Sequence, residues 1–123
     1  MLALILAGCV HYPSVEDIGG IRIMPRKGRA VRLPDGALVY MEINSTGKFG
    51  DVLMTAFSPV ARDVQLVPPG RLEVPGTTVV PLTPEGPHIV MNGLTRPLVP
   101  GESIIVTLLF EKSGGIGVIT VVE

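Results

Sequence analysis

The side chains in this sequence with chemistry to offer are one cysteine, two histidines and a handful of methionines. Cys9 closes the run Met1-Leu-Ala-Leu-Ile-Leu-Ala-Gly-Cys9, and Leu6-Ala-Gly-Cys9 has the order of a bacterial lipobox. In that pattern small residues fit the signal peptidase and the Cys thiol takes a diacylglycerol. Several acyl chains on one residue anchor a protein stably, where a single chain does not. The run lacks a basic n-region and is short for a signal peptide, so the natural start is expected upstream of Met1. The alternative is a buried apolar strand with an inert Cys9. His11 and His88 offer imidazole, and Met24, Met41, Met54 and Met91 offer thioether. Met41 and Met54 are expected to fill the aliphatic core and Met24 to pack beside Pro25. His11 is expected to be solvated on a tether. A single Cys permits no internal disulfide, and no CxxC or Cys/His cluster of the structural zinc type is present. There is no phosphate loop, no Ser/His/Asp order and no second histidine placed as a base, so the chain is not read as an enzyme. Asp35, Asp51 and Asp63 are read as turn residues.

Any such groups must be held by strands. The 123 residues fit one domain, with 46% hydrophobic residues, 4% aromatics and no Trp, so the core must be Val, Ile and Leu. Fifteen Gly and twelve Pro cut the chain into short segments and leave no convincing amphipathic helix. Strands are expected at 21–24, ended by Pro25, and at 37–43, 51–57, 63–67, 72–74, 77–82, 88–91, 103–111 and 118–122. In the longest, Ile104, Val106, Leu108 and Phe110 alternate onto one face. Residues 1–9 read as the lipobox segment, 10–20 as a tether and 21–123 as an all-β Greek-key sandwich of about eight mostly antiparallel strands. Arg22, Arg26, Lys27, Arg29 and Arg32 are read as a solvated loop, because Pro25 and Gly28 interrupt them. A net charge of −1 with few aromatics excludes an ordinary nucleic-acid binder.

The ordered fragments resemble a known family. Val39–Asn44, Gly47, Asp51–Leu53, Ser58–Ala61 and Val64–Leu66 are similar to the first half of a PCuAC-type copper chaperone. Leu72–Pro75, Gly86–Ile89, Gly93–Leu98, Pro100–Glu102 and Val106–Glu111 are similar to its second half. The resemblance implies a cupredoxin-like fold outside the cytoplasm, Cu(I) binding (in some members Cu(II) as well) and copper delivery to the CuA centre of cytochrome oxidase.

The resemblance also implies a ligand set, and this chain departs from it. The family uses a His ending a Val-x-Leu-His strand, a Met further on, and a later His-x-Met; thioethers and imidazoles suit Cu(I). Here Val67 stands at the first His, Pro68-Pro-Gly70 runs almost directly into Arg71 where the Met segment belongs, His88 survives, and Val90 replaces its Met partner. Met91 is the nearest thioether, but residues three apart on a strand face opposite ways, so only a bulge would bring it beside His88. His88 and Met91 are the candidate metal residues. The expected function is an extracytoplasmic, membrane-anchored copper-binding accessory lipoprotein with weak or rebuilt coordination. Its partner would be cytochrome oxidase or another copper-handling protein. The alternative is a metal-free scaffold or interaction module, which an exposed apolar patch near Val67 and Pro68–Gly70 would support.

Overall fold

The computed structural model describes residues 16–123. Ten strands run through them: β1 Glu16–Ile18, β2 Ile21–Leu33, β3 Gly36–Ser45, β4 Asp51–Phe57, β5 Ala61–Val67, β6 Leu72–Val74, β7 Thr78–Leu82, β8 His88–Leu94, β9 Ser103–Phe110 and β10 Gly114–Val122. They form one curled, cupredoxin-like sheet in the order β5-β8-β3-β2-β10-β9-β4-β6, with β1 beside β2 and β7 beside β3. Every pairing between these strands is antiparallel except β2 with β10. The all-β, cupredoxin-like expectation is borne out.

The core is aliphatic, as the composition requires. Ile104, Val106, Leu108 and Phe110 all point inward from β9, and they meet Ile23, Val39 and Ile43 from β2 and β3. Burying branched side chains of this size stabilises by roughly 1.5–3 kcal/mol each. β3 is the central element. Its first half, Gly36–Val39, pairs with β8, and its second half, Met41–Ser45, pairs with β7.

Besides β8 running on to Leu94 and β10 beginning at Gly114, three features differ from the sequence reading. β2 does not stop at Pro25. Pro25 falls between the stretch that β1 covers and the stretch that β10 covers, where a missing N–H leaves no ladder bond unmade. The basic stretch is therefore strand rather than loop, although Arg22, Arg26, Lys27, Arg29 and Arg32 are all exposed. A bulge between Arg26 and Arg29, with Lys27 at φ 59°, turns β2 toward β10. Gly28 is needed there, because a Cβ would stand 2.7 Å from Thr120 Oγ1. Lastly, Glu16–Ile18, expected within the tether, pairs with β2 through a turn at Gly19–Gly20, both at positive φ.

Two polar devices close the connections. Asp51 is buried at the start of β4 and accepts from Val52 N, Lys112 N, Ser113 N and Ser113 Oγ at 2.7–3.0 Å. It ties β4 to the β9–β10 turn. Arg96 pairs in bidentate fashion with Glu102 at 2.8 and 3.0 Å, and Val99 N donates to the same carboxylate. The Arg96 hydrogen bonds, with Val99 N behind them, hold Glu102 down at a pKa of about 2.

Candidate metal centre

His88 opens β8, and β8 lies against β5 in a continuous register: Val67 opposite His88, Leu66 opposite Ile89, Gln65 opposite Val90, Val64 opposite Met91. The position where the resemblance implies a first imidazole is thus directly across the strand pair from His88. Side chains so placed have Cβ atoms about 4.5–5.5 Å apart. Val67 there is an aliphatic, half-buried neighbour with no donor atom.

Alternation decides the fate of Met91. β8 has no bulge between His88 and Met91, so Ile89 and Met91 point inward, both at 0% exposure. His88 and Val90 share the other face, half-buried. Met91 is therefore not brought to His88, and that expectation is corrected: its thioether packs in the core. Met41, at 3% exposure, packs there as expected. Met54 does not. A register shift between Leu53 and Thr55 places Met54 and Thr55 side by side on the outside, leaving Met54 37% exposed. It lines a surface hollow with Pro69 and Gly70, apart from the hollow at His88. Met24 is half-buried on β2. Cys9 and His11 lie outside the described residues.

The His88 ring is oriented from several sides. Its Nδ1 lies 2.9 Å from Gly86 O. A carbonyl can only accept, so Nδ1 carries the proton, and Nε2 is the nitrogen that can hold a lone pair. Metal-bound histidines commonly carry such a second bond, which fixes the tautomer and the ring. Tyr40 packs edge-on at 6.0 Å between ring centres, and the Arg29 guanidinium lies over the Tyr40 ring at 5.7 Å. Leu66, Val67, Pro68, Leu72, Leu82 and Pro87 wall a cavity of about 30 Å³ beside the imidazole, with Arg71 at its edge. Arg71 is turned to Glu111, 2.8 Å away. The space holds about one water molecule. Among the described residues no three His, Cys, Asp or Glu side chains gather as a metal site. The donor set at this position is therefore one imidazole among aliphatic groups, which does not meet the multi-ligand, soft-donor requirement for tight Cu(I) binding.

Sequence reasoning found His88 but missed its supports. Tyr40 and Gly86 come from β3 and from the turn before β8, and only the β3–β8 pairing brings Tyr40 near. The Gly86-Pro-His88 order was a usable signal for the turn bond, because a Pro between them limits how the chain can bend.

A family model described as "LpqE-like: Putative lipoprotein LpqE-like" matches residues 21–122. No curated protein is significantly similar to the chain. Among solved structures, the chain is similar to the apo PCuAC domain from PmoF1, with TM-score 0.74 and 19% identity over 89% of this chain and 98% of that one. The copper-bound PCuAC domain from PmoF2 gives 0.75 and 22% over 89% and 97%. The solution structure of CuI-DR1885 from Deinococcus radiodurans gives 0.68 and 22% over 95% and 83%. The PCuAC resemblance is borne out, and at these identities the likeness carries the fold.

Proposed function

We propose, from the premise that the chain belongs to the LpqE-like family, that it is an extracytoplasmic accessory lipoprotein on the copper-chaperone fold, anchored through Cys9. In this reading it meets Cu(I) through His88 Nε2 and holds it weakly, so that a copper-handling partner such as cytochrome oxidase supplies the remaining ligands. The supporting observation is His88 itself: it is the histidine that the resemblance implies as a ligand, and its Nδ1–H is committed to Gly86 O, which leaves Nε2 as the nitrogen for a metal. A single imidazole makes the contact exchangeable, which suits passing a metal on rather than storing it. No catalytic step is assigned.

A second reading, a metal-free interaction module, is favoured by Val67 opposite His88 and Val90 beside it, with exposed Pro68 and Pro69 next to them. Cu(I) titration against a graded series of chelators separates the two. Under the first reading the protein competes with the weak chelators and His88→Ala abolishes that competition. Wild-type protein that competes with none of them, or a His88→Ala variant that competes equally well, removes the first reading.

A further inference from the structure

Among the described residues two exposed aromatics, Phe49 and Phe57, have no part in the core or at His88. Phe49, on the loop between β3 and β4, is 54% exposed. The loop that holds it is nevertheless fixed. Phe49 N donates to Gly20 O at 3.1 Å, and Phe49 forms an isolated bridge with Ile21. The ring lies against Gly20, where a Cβ would stand 3.0 Å from its Cδ2. Lys48 Nζ sits over the ring, 5.5 Å from its centre. An aromatic ring paired with a long cationic side chain, held out on a braced loop, is the combination that favours a membrane interface. There the ring enters the headgroup boundary and the Lys alkyl stem lets its ammonium stay in water.

The position of this corner commits it to a partner. Ile18 stands opposite Ile21 and Glu16 opposite Ile23. Glu16, the first described strand residue, therefore stands about two strand residues, or roughly 7 Å, from the level of Phe49. Six residues lie between Cys9 and Glu16, and the seven steps span at most about 25 Å. A lipid on Cys9 would keep this end of the domain within about 25 Å of the bilayer.

We propose that the Phe49–Lys48 corner is a membrane-contact surface that seats the domain on the phospholipid bilayer carrying its anchor. The proposal rests on the lipoprotein reading of Cys9, and the test keeps the two separable. Cys9 is the only cysteine, so in full chain produced without lipidation, where its thiol is free, a maleimide phospholipid couples to it alone. The chain has no Trp, so Phe49→Trp supplies a single indole. Phe57→Trp is the control: Phe57 is 52% exposed at the far end of β4, six residues or about 20 Å beyond Asp51. Coupled protein is placed on phosphatidylcholine–phosphatidylglycerol vesicles whose acyl chains are brominated near the headgroup. The Phe49→Trp emission is expected to move to shorter wavelength and to be quenched, while the Phe57→Trp emission stays unchanged. Adding Lys48→Glu to Phe49→Trp is expected to reduce the quenching. No quenching at Phe49→Trp, or equal quenching at both positions, overturns the proposal. The mass of protein purified from a lipidating cell tests Cys9 modification on its own.

Discussion

Removing the Asp51 carboxylate should cost the fold more than any other single polar change among the described residues. The side chain is 4% exposed and accepts four hydrogen bonds, two of them from Ser113, itself buried. In Asp51→Ala the donors at Val52 and Lys112 are near enough to solvent to find water. Ser113 N–H and Oγ–H are not, and each buried donor left unmet costs about 1–3 kcal/mol. A loss of about 3 kcal/mol follows, which lowers the Tm of a domain this size by roughly 8–15 °C. Thermal and urea unfolding followed by far-UV circular dichroism measure it. The pH dependence gives a second, independent check. Burial pushes the Asp51 carboxyl up, but the Ser113 hydroxyl and the N–H groups of Val52, Lys112 and Ser113 outweigh it, and the net displacement is downward. A carboxyl lowered on folding stabilises fully above its unfolded value of about 3.9, and that contribution fades as pH falls through the lower folded value. The stability gap between wild type and Asp51→Asn should therefore be constant from neutral pH to about pH 5 and narrow in stronger acid. An Asp51→Ala protein that melts within about 2 °C of wild type, or a gap that widens on acidification, refutes the reasoning.

Other outcomes follow from the same geometry. Val67→His places a second imidazole directly across from His88, and Cu(I) affinity by chelator competition should rise more than about tenfold, equivalent to 1.4 kcal/mol. An unchanged affinity would mean that the two positions do not converge. Ser45 Oγ is buried with no hydrogen-bond partner, so Ser45→Ala should leave stability unchanged or raise it by up to about 1 kcal/mol. Destabilisation beyond that, read by urea unfolding, would reveal a partner for the hydroxyl.

The fold was legible because its signals are local and repeated. Ile104, Val106, Leu108 and Phe110 declare a strand by themselves, and every one is buried. What escaped was whatever depends on a register shift. The bulge at Arg26–Arg29 carries β2 past Pro25, and the shift at Leu53–Thr55 turns Met54 outward. Gly28 inside β2 is the one local mark of the first bulge, and nothing in the residues around Met54 announces the second, because its register is set by the neighbouring strand. The absence of a bulge in β8 was equally a matter of pairing, and it is what sends Met91 to the core. Asp51 looked like a turn residue, and it does begin a strand. Its four donors come partly from a turn sixty residues later, out of reach of any local pattern.

The likeness to PCuAC domains and the loss of donors are physically compatible, because the fold does not depend on the site. Val67 and His88 pair through their backbones, so the β5–β8 ladder forms whatever side chains stand there. Exchanging an imidazole for Val at a half-buried strand position removes a polar group that would need a partner and adds a β-branched residue that favours strands. A chain that drops its metal ligands this way gives up coordination while its sheet is left intact or strengthened. Backbone similarity is therefore silent on copper, and only the side-chain positions around the His88 ring speak to it. Those are one oriented imidazole, Val67, Val90 and a cavity the size of a water molecule. Val67→His tests this point more sharply than His88→Ala does. It asks whether the β5–β8 pairing can bring two imidazoles to one metal ion.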